Sequence, residues 1–224
     1  MKKYKVPIIL GLVILTAVVS KSVFTRVKKN TLQSQIFTHP AIQNPEVSGR
    51  RLVNRIELRE PKKAFNFTLV NMNNAPVSLE DYKGKLVLVG FIYTNCPDVC
   101  GVLTMHYRRI QRTFESTIDK DLVLILISTD PKRDTPERVK AYTQGFQGKW
   151  HFLTGTESQL KEVWANYRVF VKEKEDADLV YHSYMVVLID RAGFIRYRYV
   201  GLVDPQEVIE KDIQQLLKER SQAL

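Results

Sequence analysis

The 224 residues contain only two cysteines, four positions apart in Cys96-Pro97-Asp98-Val99-Cys100. A thiolate attacks disulfides and also ligates soft metals. Such a pair therefore either closes a disulfide or grips a metal ion. The preceding run, Leu86 to Tyr93, is apolar and reads as a buried strand. Residues 98–117 carry Leu103, Tyr107, Ile110 and Phe114 at helical spacing. The motif thus stands where a strand passes into a helix, with Cys96 expected as the helix cap and Pro97 in the first helical position. The partial positive charge and exposed N–H groups of a helix amino end favour thiolate.

Spacing discriminates between the two chemistries. Helical residues four apart have Cβ atoms about 5–6 Å apart, whereas a disulfide needs roughly 3.5–4.5 Å. Two thiolates on one ion, each at about 2.3 Å, sit comfortably about 4 Å apart. The pair therefore suits a bridging metal better than a disulfide, and it departs from the Cys-x2-Cys of thioredoxin-type redox pairs. Two sulfurs seldom complete a metal site, so a third ligand is expected from elsewhere in the fold.

Four histidines compete for that role. His39 lies in a basic N-terminal stretch. His106 is six residues beyond Cys100, about 240° round the helix from it. His151 sits in a short apolar strand, as a core or edge imidazole. His182 follows a charged loop at 172–178 and stands just ahead of a hairpin strand. It is the favoured ligand, against the plainer role of capping the hairpin at the surface. Asp98 reads as a first-turn helix residue and Asp130 as a turn-former before Pro131. Met72, Met105 and Met185 read as core.

The elements around these residues alternate. A strand over 64–70 leads to a single helical turn capped by Ser78, then the strand over 86–93 and the helix over 98–117. A strand over 121–128 is apolar throughout, as expected of burial on both faces. Thr135 caps a helix with Pro136 in its first turn. A short strand over 150–153 and a helix over 158–167 follow, the latter with Leu160, Val163, Trp164 and Tyr167 inward. Strands 184–189 and 194–199 form a hairpin about Asp190–Gly193, and a helix over 205–220 closes the chain. This order predicts an α/β sandwich, and a cysteine motif at the first core strand–helix junction makes it thioredoxin-like.

The net charge of +10 is local. Residues 1–63 hold 13 Lys/Arg against three Asp/Glu, and the remaining 21 and 21 cancel. A basic stretch beside an apolar segment suits an anionic membrane surface, and no nucleic-acid partner is expected. Val6 to Ser20 runs 15 residues without a charge. That is short of a span of about 20, but it extends to Phe24 if Lys21 snorkels to the interface. Val18-Val19-Ser20 matches a signal-peptidase site poorly, so an uncleaved signal-anchor is favoured over a cleaved signal. Either places the bulk of the chain outside the cytosol, where conditions are oxidising. The expected organisation is a signal-anchor over 1–24, a basic tether over 25–63 with at most one short strand within 49–59, and a globular domain over 64–224.

Three motifs carry a family resemblance. Tyr93-Thr94-Asn95-Cys96-Pro97-Asp98-Val99-Cys100, Ser128-Thr129-Asp130-Pro131-Lys132-Arg133-Asp134-Thr135-Pro136-Glu137, and His182-Ser183 before Leu188-Ile189-Asp190 resemble those of the SCO/SenC family. These are membrane-anchored copper proteins that help assemble cytochrome c oxidase. The likeness covers roughly residues 60–220. It implies a thioredoxin-like fold and copper ligation by Cys96, Cys100 and His182. The cargo would be Cu(I), with Cu(II) open to the same ligands. The resemblance further implies a metallochaperone, single-pass in the cell (inner) membrane with an extracytoplasmic, periplasmic domain. It would take copper from a donor protein and supply the dicysteine copper site of an oxidase subunit. The rival role is a thiol-disulfide oxidoreductase in which Cys96 and Cys100 reduce the oxidase cysteines and His182 is expendable. A copper or redox sensor is a further alternative. Two departures stand out. Gly101 replaces a usual proline, and Tyr181 stands where aspartate commonly precedes the histidine, which removes an acidic neighbour but no ligand.

Overall fold

The computed structural model describes residues 54–97, 99–173, 179–201 and 206–219. The anchor over 1–24, the tether as far as residue 53, His39, Asp98 and residues 174–178 of the charged loop lie outside them. No helix among the described residues is long and apolar enough to cross a membrane.

Two adjacent parallel strands lie inside a six-stranded sheet: β4 (Leu86–Ile92) and β5 (Leu122–Ser128), buried at every position. Burial on both faces is why neither alternates in sequence. β6 (His151–Leu153) extends the parallel side. On the other flank, β9 (Met185–Ile189) runs antiparallel to β4 and forms the expected hairpin with β10 (Phe194–Val200). The Asp190 carboxylate accepts the backbone N–H groups of Ala192 and Phe194 in its turn.

The outer strand corrects the sequence reading. Residues 54–63, expected in the tether, form β1 (Asn54–Lys63), antiparallel to β10. Charged residues hid it. Arg55 reaches the Asp212 carboxylate with two bonds of 2.8 and 2.9 Å, and Ile56 faces out. Pro61 falls where the register slips between Glu57 and Lys62, as an edge strand permits. The strand expected over 64–70 shrinks to β2 (Thr68–Val70), paired with β3 (Pro76–Ser78). Ser78 caps the following short helical turn, Leu79–Tyr82, in a capping box with Asp81.

Helices cover both faces. α1 (Cys100–Thr113), α2 (Pro136–Gly145) and α4 (Gln206–Glu219) lie on one, and α3 (Glu157–Tyr167) on the other. On the α3 face, Val87, Val89 and Phe91 pack with Ile125, Leu160, Val163 and Tyr167. On the α1 face, Tyr107 lies flush on β4, its hydroxyl donating to the Leu88 carbonyl at 3.3 Å. Gly90 makes room for it, since a Cβ there would fall 2.7 Å from the Tyr107 hydroxyl oxygen. The helix bearing Cys100 is thereby seated on a strand buried along its whole length. α2 starts as the sequence predicts, with Thr135 accepting from the Arg138 N–H and Pro136 in the first turn.

One further pair completes the frame. β7 (Val171–Glu173) and β8 (Val180–His182) form a two-stranded antiparallel ribbon. Residues 172 and 173, expected within a loop, belong to it.

Candidate metal centre

The cysteine motif departs from expectation in one consequential way. The helix starts at Cys100, preceded by Val99 with no side-chain cap. Cys96 and Pro97 lie before it, in a bend where the Cys96 N–H donates to the Tyr93 carbonyl at 3.4 Å. Cys96 is therefore not the helix cap, and the two cysteines do not occupy successive turns of one helix. The helical distance argument against a disulfide, and the thiolate-favouring cap proposed for Cys96, both fall with it. Proline at 97 and the glycine at 101 do not extend the helix backwards, and no hydroxyl or carboxamide caps its start.

Cys100 is the hub. It is 2% exposed, and burial pushes its thiol up, with hydrogen bonding and charge from Cys96 adding to the effect. Cys96 is half-buried, and the two are not joined in a disulfide. On the other side, His182 Nε2 lies 3.4 Å from Cys100 Sγ. The opposite ring nitrogen, Nδ1, lies 3.2 Å from the Ser183 carbonyl, which can only accept. Nδ1 therefore carries the proton and Nε2 turns its lone pair toward the thiol. Burial lowers the His182 pKa, and the Ser183 bond opposes this in part. The imidazole is thus held neutral, the form that ligates metals.

Tyr93 links the two halves. Its ring meets the His182 ring edge-on at 5.9 Å, and its hydroxyl accepts the Val180 N–H at 3.3 Å. Burial raises its pKa, and Cys96 is close enough to hydrogen-bond and add to the rise. Among the described residues no three His, Cys, Asp or Glu side chains already form a cage for a metal ion. Cys96 and His182 instead flank Cys100, whose buried thiol is pushed toward its neutral form.

The other candidates are placed elsewhere. His151 pairs with Asp119 at 3.2 Å and meets the Tyr82 ring at a tilt, at the far end of the sheet. His106 lies within α1, beyond the site. Met185 is buried in the core of the α3 face, and Asp130 is paired with Arg133. The sequence reading passed over Thr94, Ser128 and Asp134, which join the Cys96 bend to the end of β5. Their signal was present: a hydroxyl and two aspartates close behind an apolar strand are more polar groups than a turn requires.

Comparison with known proteins identifies the family and the fold. The SCO1/SenC family model matches residues 57–218. The SCO1 protein homolog of Bacillus subtilis is 31% identical over 153 residues, 66% of this chain and 79% of that one. The structure of copper-bound ScoI from Bradyrhizobium japonicum has a TM-score of 0.60 at 31% identity, covering 69% of this chain and 99% of that one. BsSco, described as a member of the Sco family of cytochrome c oxidase assembly proteins in which a disulfide switch was identified, has a TM-score of 0.60 at 29% identity, covering 71% and 96%. The mixed α/β fold is that of these thioredoxin-like structures, and the chain belongs to the SCO1/SenC family.

Proposed function

We propose that this protein is a copper metallochaperone that binds copper through Cys96, Cys100 and His182 and passes it to the dicysteine copper site of a cytochrome c oxidase subunit. The observation that carries the reading is the 3.4 Å approach of His182 Nε2 to Cys100 Sγ. A ring and a thiol 82 positions apart meet with a nitrogen lone pair facing sulfur. The donor set, soft sulfur with imidazole, suits Cu(I) and admits Cu(II). Two thiolates and a neutral imidazole around Cu(I) carry one net negative charge, and the first turn of α1 at Cys100 offsets it. Loading replaces thiol protons by metal, so affinity rises with pH.

Transfer proceeds by ligand exchange with the incoming thiols of the recipient. The copper-bound ScoI structure and the description of the Sco family as oxidase assembly proteins support both cargo and recipient. The apolar run Val6–Ser20 supports a membrane tether, and the family resemblance supports placing the domain on the extracytoplasmic face, since the basic residues on the two sides of the run nearly balance.

A second reading is a thiol-disulfide oxidoreductase acting on the oxidase cysteines. The half-buried Cys96 beside a buried Cys100, free of the spacing a shared helix would impose, favours it, as does the disulfide switch of BsSco. Anaerobic Cu(I) titration against a chromophoric chelator separates the two. His182→Ala should weaken copper binding by roughly 10–100-fold while dithiol exchange continues. Stoichiometric tight binding indifferent to His182 would contradict the three-ligand reading.

A further inference from the structure

Asp134 is 1% exposed, and the proposed ligand set does not use it. Its carboxylate has three neutral donors. Oδ1 accepts the Thr94 backbone N–H at 3.1 Å and the Thr94 hydroxyl at 2.6 Å. Oδ2 accepts the Ser128 hydroxyl at 2.6 Å. The chain of bonds continues at both ends. Arg138 Nε donates to Thr94 Oγ1 at 3.1 Å, and the Asp130 N–H donates to Ser128 Oγ at 2.9 Å. One carboxylate thus fastens the residue two positions before Cys96 to the end of β5 and to the start of α2.

A buried carboxylate is costly to retain as mere filler. Hydrophobic packing can close a strand end without one. What packing does not do is fix a backbone N–H and its own side chain at once. At Thr94 that double grip sets the direction in which the chain leaves β4, and two residues later it delivers Cys96. Cys100 is fixed independently by α1 on β4. The Cys96–Cys100 separation is therefore the one dimension of the site left to this bend, with Cys96 outside the helix. Asp134 also lies near enough for its charge to act on Cys100.

We propose that Asp134 is a positioning residue for the copper site: by clamping Thr94 to Ser128 it holds Cys96 at the distance from Cys100 that two sulfurs on one ion require. The inference rests on the reading that Cys96, Cys100 and His182 hold copper, and it extends to any chemistry the cysteine pair performs.

The test compares Asp134→Asn and Asp134→Ala in the full chain with wild type, using two readouts. One is Cu(I) affinity by chelator competition. The other is the dithiol–disulfide potential of metal-free protein, equilibrated against glutathione. Asn keeps an oxygen for both Thr94 donors, and its amide reaches the Ser128 oxygen. Asp134→Ala should lose about 10–100-fold in affinity, the range seen when residues behind metal ligands are removed, and should shift the potential. Asp134→Asn should stay close to wild type in both. A folded Asp134→Ala with wild-type affinity and potential overturns the proposal, as does an Asn variant as impaired as Ala. Should Ala fail to fold, Ser128→Ala cuts one strut alone and must move the potential in the same direction, or the proposal falls. If wild type itself binds no copper, the copper reading fails, while the potential still decides the positioning role.

Discussion

The two sides of the candidate metal centre are built differently. Cys100 sits at the head of a helix seated on β4, whose seven residues are all buried. The backbone there is surrounded by core, and Gly90 brings Tyr107 into direct contact with the strand. His182 ends a three-residue strand of a two-stranded ribbon. Antiparallel pairing sets the faces of that ribbon. Val171 and Val180 share one face with His182, while Phe170 and Tyr181, 63% and 54% exposed, share the other. Phe170 and Ser183 extend the ribbon's own ladder with two hydrogen bonds, and the ribbon is tied to its surroundings through the Val180 N–H on Tyr93, the His182 ring against Cys100 and the surface pair Lys132–Glu173. One proposed ligand is set in the frame and the other rides on a lightly fastened arm. A carrier that must both hold and surrender its cargo benefits from that asymmetry. Under the proposed function, the rigid sulfur would keep the site in register, and the imidazole would leave first when a recipient thiol arrives.

The frame side should respond most strongly to mutation. Gly90→Ala drives a methyl into the Tyr107 hydroxyl and should cost about 1–3 kcal/mol, read as a lowered urea midpoint with an unchanged slope. On the arm side, Tyr93→Phe removes the acceptor of the Val180 N–H. It should cost about 1 kcal/mol, expressed as faster hydrogen exchange confined to the β7–β8 ribbon. Equal loss of protection across β4 and β5 would erase the distinction between frame and arm. The smallest effect is on pH dependence. The His182 pKa is lowered in the fold from an ordinary 6.5, so the unfolded chain binds its proton first. Metal-free protein should lose stability as pH falls below about 6.5 and onward through the lowered folded value, by at most ~1.4 kcal/mol per pH unit. His182→Gln should flatten that slope, and an unchanged slope would mean that other groups set it.

The frame was legible in the sequence because burial on both faces leaves continuous apolar runs. β4 and β5, the inward faces of α1 and α3, and the Thr135-Pro136 start of α2 all followed from pattern alone. β1 was legible only as a short strand within 49–59, and its extent to Lys63 and its place in the sheet were not, because its stabilisation is ionic and aromatic: Arg55 on Asp212 and over the Tyr197 ring. Such partners lie more than a hundred positions away and leave no periodicity. His182 could be named as a ligand from its place before the hairpin. Its contact with Cys100 and its tautomer depend on tertiary placement of a short ribbon and on its neighbour's carbonyl. The start of α1 falls three residues later than the sequence suggests, because Pro97 is a common first helical residue, whereas here it belongs to the bend before the helix.

X-ray absorption on protein loaded anaerobically with one equivalent of Cu(I) tests the central claim most directly. Ligands drawn from both the frame and the arm predict two sulfur scatterers and one imidazole nitrogen, with the nitrogen contribution lost in His182→Ala. A wild-type spectrum of sulfur alone, unaltered by that substitution, would contradict the account.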